Sequence, residues 1–194
     1  MLEWSDYYAW GEGRALRPLL ARALELAPTP GTAVDLGSGS GRETLELLER
    51  GWRVVAVDSE PEAARRLETM VSAGLRERLE VRTAAFQDIQ ALPHADLVHA
   101  AFSLPFCPPD AFHRLWNLVT GCLRPHGLIA ADLFGDRDSW ASEDNNLTFH
   151  SRDDVDRLLA SLDTIEVVEE ENEGPAFSGP KHWHVFHVFA RRID

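Results

Sequence analysis

The residues best suited to binding chemistry lie in VDLGSGSGRET, Val34 to Thr44, where Gly37, Gly39 and Gly41 alternate with Ser38 and Ser40. Glycine adopts backbone conformations closed to other residues and lets a ligand approach the main chain. A helix opening after such a turn points its N–H groups toward the bound group. An ordinary strand-to-helix turn rarely needs three glycines in five residues, so Asp35, Gly37, Ser38, Gly39 and Gly41 are read as a ligand-binding turn. The second signal is VVAVDSEPEA, in which Asp58 ends the next apolar run 21 residues after Gly37 and is followed by Ser59. In a doubly wound fold an acid at that point accepts hydrogen bonds from two ribose hydroxyls; its other possible role is to cap the following helix. Beside the glycine turn, the ribose reading is preferred.

Ribose recognition alone does not separate one nucleoside cofactor from another, so the glycine spacing decides. Dinucleotide folds favour G-x-G-x-x-G with a pyrophosphate at the helix N-terminus. Here the spacing is Gly37-x-Gly39-x-Gly41, Asp35 precedes it, and Arg42 fills the alternative third-glycine position. An acid beside a pyrophosphate is repulsive, whereas it suits a ligand carrying an ammonium and a sulfonium. An NAD-dependent oxidoreductase is therefore disfavoured against S-adenosylmethionine chemistry.

The elements that must position these residues follow from periodicity. Leu19, Leu20, Ala23, Leu24 and Ala27 repeat at helical spacing behind Pro18, which the first turn of a helix tolerates. Thr32 to Leu36 reads as a strand and Arg42 to Arg50 as a helix with capping-box spacing at Ser40 and Glu43. Arg53 to Val57 is a buried strand, and Pro61 opens a helix expected to run to about Gly74. Further strands are expected over Leu79 to Thr83, Ala95 to Ala101 and Leu128 to Phe134, with a helix over Asp110 to Leu123. Such alternation predicts an α/β fold in which a parallel sheet carries helices on both faces. After a helix near Asp153 to Leu162, Thr164 to Val168 and His184 to Ala190 read as two strands separated by GPAFSGP; a non-helical connection makes them antiparallel. The expectation is a three-layer, Rossmann-like sheet of seven strands, mostly parallel with an antiparallel C-terminal strand.

Composition bounds the function. With 194 residues, 44% hydrophobic and 26% charged, the chain has the profile of one globular domain spanning 1–194, with 1–27 as an N-terminal lid or helix region. No apolar run is long enough to span a membrane and no signal segment is visible, while two cysteines exclude a disulfide framework and suit a reducing cytoplasm. A net charge of −13 with scattered basic residues opposes binding to a phosphate backbone. Only one of the 19 basic residues is lysine, Lys181, which fits heat adaptation or codon bias equally.

The turn VDLGSGSG, the acid Asp58, and the strands ADLVHAAFSLPF and GLIAADLFG resemble those of class I S-adenosylmethionine-dependent methyltransferases over nearly the whole chain. FSLPFCPP, DLFGDRDSWA and KHWHVFHVFARR also resemble the bacterial small-molecule branch related to tellurite-resistance methyltransferases. The resemblance implies that Gly37 to Gly41 hold the methionine part of S-adenosylmethionine, Asp58 the ribose, and Ala85, Phe86 and Gln87 the adenine, with Ser59 also among the cofactor-binding residues. Many relatives have an acid where Ala85 stands, which leaves adenine N6 to Gln87 or Asp88. By the same resemblance Ala101 and Phe102 line the sulfonium side and Arg14 pairs with the cofactor carboxylate. The implied activity is methyl transfer to a small soluble acceptor, an oxyanion or thiol of the tellurite type among them; the alternative is a catalytically silent module that keeps the cofactor pocket. The NPPY-like segment of base-amino and protein-amide methylation is replaced by FSLPFCPP.

Residues around the cofactor site are the candidates for the acceptor side. WSDYYAW offers Trp4, Tyr7, Tyr8 and Trp10, which suit a lid or packing on the core. Phe106, Cys107, Phe134, Arg137 and Trp140 follow the fourth and fifth strands, where doubly wound folds build sites. His182 and His184 share one side of the last strand, opposite Trp183, as a general base or simply a hydrogen-bonded strand face; no metal site is expected, because no third ligand has suitable spacing. The acidic run Glu169 to Glu171, with Glu173, reads as a solvated strand end.

Overall fold

The computed structural model describes residues 16–141 and 145–194. In chain order the elements are α1 (Pro18–Leu26), β1 (Thr32–Leu36), α2 (Arg42–Glu49), β2 (Arg53–Asp58), α3 (Pro61–Met70), α4 (Ala73–Arg76), β3 (Leu79–Thr83), β4 (Ala95–Ala100), α5 (Pro109–Cys122), β5 (Leu123–Gly135), β6 (Phe149–His150), α6 (Arg152–Leu159), β7 (Leu162–Ala176) and β8 (Gly179–Arg192). β8 runs antiparallel to both β5 and β7, and the other pairings are parallel. The strand order is β3-β2-β1-β4-β5-β8-β7; seven strands, mostly parallel and closed by antiparallel pairing at the C-terminal end, match the expectation, and β6, a two-residue strand pairing Phe134 and Gly135, is an addition.

Alternation along the central strands makes the three layers. Val34 and Leu36 on β1, Val55 and Val57 on β2 and Val98 on β4 pack with Phe112, Leu115 and Val119 of α5 and Val155 of α6. Their neighbours Ala33, Val54, Ala56 and Leu97 face Leu20 and Ala23 of α1, Leu47 and Leu48 of α2 and Leu67 of α3. Each such fully buried aliphatic or aromatic side chain contributes roughly 1.5–3 kcal/mol relative to exposure. The crossover connections leave the carboxyl ends of β1, β2 and β4 on one rim, where an open α/β sheet forms a crevice. Among the described residues no helix is long and apolar enough to cross a membrane.

Several boundaries differ from those expected. The N-cap of α2 is Gly41 at φ +82°, with no side-chain cap, so Ser40 and Glu43 do not form a capping box. A capping box occurs instead at α6, where Ser151 and Asp154 bond reciprocally. The third helix stops at Met70, because Val71 is extended, and α4 follows separately. β5 starts at Leu123, five residues early, with a register shift against β4 that accommodates His126 at φ +64°. The greatest difference is the length of β7 and β8: the breakers in GPAFSGP lie at a hairpin tip, with Pro175 facing Pro180 and Ala176 facing Gly179. Two residues that lack an N–H face each other there, so the prolines extend to the tip of the hairpin without interrupting it.

Candidate functional site

The glycine turn is held by the neighbouring strand. Gly37 N–H and Ser38 N–H both donate to the Val57 carbonyl, at 2.7 and 3.1 Å, and Gly39 N–H donates to Asp58 Oδ2 at 2.7 Å. Gly37, Gly39 and Gly41 have φ of +75°, +51° and +82°, a region closed to most side chains. Close packing adds to this at two of them: a Cβ on Gly37 would lie 2.3 Å from Ser103 Cβ, and one on Gly41 would lie 2.6 Å from Leu67 Cδ2. Gly37 and Gly41 thus serve the protein's own packing, and the turn is fixed before any ligand arrives. Asp58 Oδ1 accepts from Glu60 N–H at 3.0 Å, so this carboxylate braces the turn and the start of α3 together.

Above this rim lies a cavity of about 700 Å³, within the usual range for small-molecule sites. Asp35, Gly37, Ser38, Gly39, Asp58, Ser59, Ala85, Phe86, Gln87, Ala101, Phe102 and Phe106 all line it, so most of the residues singled out from sequence come together. Gly41 is not on its wall. Arg114 of α5 clamps the Ala85 to Gln87 segment by donating to the carbonyls of Gln87 and Ile89. Arg14, Tyr7 and Tyr8, with Trp4 and Trp10, lie outside the described residues; Arg17 lines the cavity, its guanidinium 5.2 Å from the Phe102 ring centroid.

Two buried polar atoms on the wall point to a ligand. Asp35 Oδ1 pairs with His99 Nδ1 at 2.9 Å while Oδ2 accepts from Thr44 Oγ1 at 2.5 Å. Burial is the largest single influence on His99 and opposes its charge, but the Asp35 bond together with the charges of Asp35, Glu43 and Asp132 outweighs it and raises the pKa above the ordinary histidine value. His99 Nε2 and Ser38 Oγ are buried and have no partner among the described residues, although both residues line the cavity. Leaving a buried polar atom unpaired costs roughly 1–3 kcal/mol, which a polar ligand with matching groups would recover.

The far end of the cavity has a different character. Phe102, Phe106, Phe134, Trp140 and Trp183 line it together with Glu170, Val185 and His187. Phe102 is held at φ +51°, an outlier for a bulky side chain, with its N–H donated to Asp132 Oδ2 at 3.1 Å and its ring edge-on to Trp183 at 5.7 Å. Behind the rings lies Lys181, whose Nζ is 3.6 Å from the centroids of both Trp140 and Trp183 and 2.9 Å from Asp138 Oδ1. Burial lowers its pKa and Asp138 draws it back up. Cys107 is buried, and burial pushes its thiol up to about 11, so it is no thiolate at neutral pH.

Arg137, His182 and His184 are not on the cavity wall, because the two histidines lie on the opposite face of β8 from Trp183, Val185 and His187. His184 is fully buried and accepts from Arg137 N–H at 3.1 Å while its Nε2 meets Glu169 at 3.0 Å. His182 bonds Glu173 and Glu171, and Arg137 bonds Glu169 and Glu171. The acidic run is exposed, as expected of a solvated face, and is ion-paired as well: Arg137 first, then His182, hold Glu171 down at about 2. Glu170, of opposite parity, turns to the cavity and meets His187. No group of three or more potential metal-ligating side chains occurs among the described residues. The sequence reading missed Arg17, His99, Asp132 and His187. The available signals were an acid inside the apolar run IAADLF and the shared parity of His187 with Trp183.

Residues 33–127 match a family model described as a methyltransferase domain. TehB from Haemophilus influenzae has a similar structure, with a TM-score of 0.79 at 14% identity over 98% of this chain and 67% of that one. The 1,6-didemethyltoxoflavin-N1-methyltransferase of Burkholderia thailandensis gives 0.68 at 22% identity, covering 98% and 87%, and the N-methyltransferase NodS of Bradyrhizobium japonicum gives 0.68 at 15%, covering 92% and 89%. At these identities the likeness is one of fold. No curated protein shows significant similarity in sequence.

Proposed function

We propose that this chain, which carries a methyltransferase domain on the class I methyltransferase fold, is one catalytic unit that transfers a methyl group from S-adenosylmethionine to a small acceptor. The observation that carries this reading is the continuity of one cavity from the glycine turn and Asp58 to the aromatic end. The structures of NodS and of the toxoflavin-pathway enzyme hold S-adenosylhomocysteine.

The donor set fits that cofactor. Asp58, which closes β2 on the cavity wall, would hold the ribose hydroxyls, with Ser59 beside it. The clamped Ala85 to Gln87 segment receives the adenine. Asp35 and the unpartnered Ser38 Oγ and His99 Nε2 lie at the amino-acid end, with Arg17 as the cation for its carboxylate, a role the sequence reading gave to Arg14. When bound, the cofactor supplies a methyl group on a sulfonium, an electrophile already activated. Alignment therefore supplies most of the rate, and effective molarities of oriented reactants reach roughly 10⁵–10⁸ M. Phe102, fixed between the two ends, sets the wall against which the acceptor approaches.

Incubating the protein with S-adenosylmethionine and a panel of small acceptors, and following S-adenosylhomocysteine release, tests the proposal. Release that depends on an acceptor supports an enzyme; cofactor binding with no release for any acceptor supports a silent binding module.

A further inference from the structure

We propose that His187 takes the proton from the methyl acceptor, with Asp132 orienting its ring and Glu170 passing the proton to solvent, and that the acceptor is a neutral ring compound bearing an N–H or O–H. The inference rests on the methyltransferase reading above and specifies its acceptor side.

Asp132 is fully buried in the apolar strand β5, where an unpaired carboxylate is costly. Its Oδ1 lies 2.7 Å from His187 Nδ1, and its Oδ2 holds the Phe102 N–H. One carboxylate therefore fixes both the imidazole and the residue dividing the two ends of the cavity. With Nδ1–H donated to Asp132, the nitrogen that exchanges protons is Nε2, 3.2 Å from Glu170 Oε2. It donates there while the ring is charged, and its lone pair serves the acceptor only after that proton has left through Glu170 and the carboxylate has turned to water. The Glu170 side chain is 53% exposed, so the chain of groups runs from a buried anchor through the cavity wall to water.

The step balances simply. The acceptor's X–H proton passes to Nε2 as the bond from X to the methyl carbon forms, and the electron pair of the broken methyl–sulfur bond stays on sulfur. The imidazolium then gives its proton to Glu170 and the solvent, restoring the neutral ring. An anionic acceptor needs no such base and would meet two carboxylates. Lys181 is already paired with Asp138 behind the rings. Phe102, Phe134 and Trp183 pack edge-to-face and give this end of the cavity an apolar aromatic lining, which suits a neutral ring compound better than an ion.

The charged groups facing His187 are Asp132 on β5 and Glu170 on β7, with Arg17 over the Phe102 ring. Burial opposes its protonation, but the Asp132 bond and then Glu170 raise its pKa above the ordinary value. Turnover should accordingly rise with pH through an inflection above that value.

The test uses His187→Asn, Asp132→Asn and Glu170→Gln in the intact chain. Three readouts are compared: imidazole NMR titration without cofactor, S-adenosylhomocysteine calorimetry, and methyl transfer to phenol, aniline, indole and benzimidazole against selenite and 2-mercaptoethanol. Expected are a native His187 protonated on Nδ1 above its inflection, a kcat fall of about 10²- to 10⁴-fold in His187→Asn, and product-cofactor affinity unchanged within about twofold. Glu170→Gln should lower the inflection in both the NMR titration and the rate, and should lower the plateau by less than His187→Asn does. Asp132→Asn should lower kcat and release the Nδ1 tautomer. Native kcat in His187→Asn, or turnover confined to selenite or the thiol, would overturn the proposal. So would tight S-adenosylhomocysteine binding with no ring compound methylated, which leaves the cofactor reading standing. Absence of S-adenosylhomocysteine binding overturns both.

Discussion

Lys181→Met removes the cation from a cage of rings without emptying the cage. The ammonium is enclosed, its side chain 1% exposed, with Asp138 at 0%. Breaking one partner out of a buried pair costs roughly 3–5 kcal/mol because the other charge is left uncompensated. Asp138 keeps two backbone bonds, from Trp140 N–H at 2.9 Å and His184 N–H at 3.3 Å, which places the expected loss at the lower end, about 3 kcal/mol. For a chain of this size that lowers Tm by about 6–12 °C. The double variant Lys181→Met, Asp138→Asn removes both charges and should recover most of the loss, ending within about 1 kcal/mol of the native protein. Denaturant unfolding of the three proteins, followed by the fluorescence of Trp140 and Trp183, gives both numbers. A single-variant loss below about 1 kcal/mol, or a double variant no more stable than Lys181→Met, would refute the view of Lys181 as a buried charge held by one carboxylate.

Other regions give independent expectations. His150 is buried against Phe112, and burial lowers its pKa to about 4, with Asp154 opposing the shift and His113 adding slightly to it. Its folded value lies below the unfolded one, so its contribution is complete above about pH 6.5 and is lost as pH falls toward 4. Between pH 7 and 4.5 this amounts to roughly 2–3 kcal/mol, which His150→Gln should remove from the acid limb of the stability curve; parallel limbs would contradict it. Ser151→Ala removes half of the capping box on α6 and should cost about 1 kcal/mol in denaturant unfolding without altering turnover. Gly37→Ala forces a Cβ onto Ser103 at a positive φ and should lower both stability and cofactor affinity, as read by unfolding and calorimetry together.

The half of the site built on the glycine turn was legible because its residues are local in sequence. β1, the glycine turn, α2 and β2 follow one another without interruption, and Asp58 reaches back to Gly39 across a single strand pairing. The acceptor half was not legible in the same way. Asp132 and His187 are 55 residues apart and meet only because β8 inserts between β5 and β7. Parity along β8 separates His187 from His182 and His184, but sequence alone does not say which face of an antiparallel strand looks onto the cavity. The acidic run of β7 divides the same way, with Glu169 and Glu171 on one face and Glu170 on the other. The capping box at Ser40 failed because the turn needs Gly41 at the N-cap for its positive φ, a demand made by tertiary packing against Leu67.

The central claim is that the glycine turn and Asp58 hold S-adenosylmethionine. Titration calorimetry of the native protein with S-adenosylmethionine, S-adenosylhomocysteine and NAD, repeated on Asp58→Ala, tests it directly. Each charge-assisted hydrogen bond to a ribose hydroxyl contributes about 1.5–3 kcal/mol. The account therefore predicts tight binding of the two sulfur compounds alone, weakened by about 10²-fold or more in the folded variant. Preference for NAD, or an affinity for S-adenosylmethionine that Asp58→Ala leaves unchanged, would contradict it.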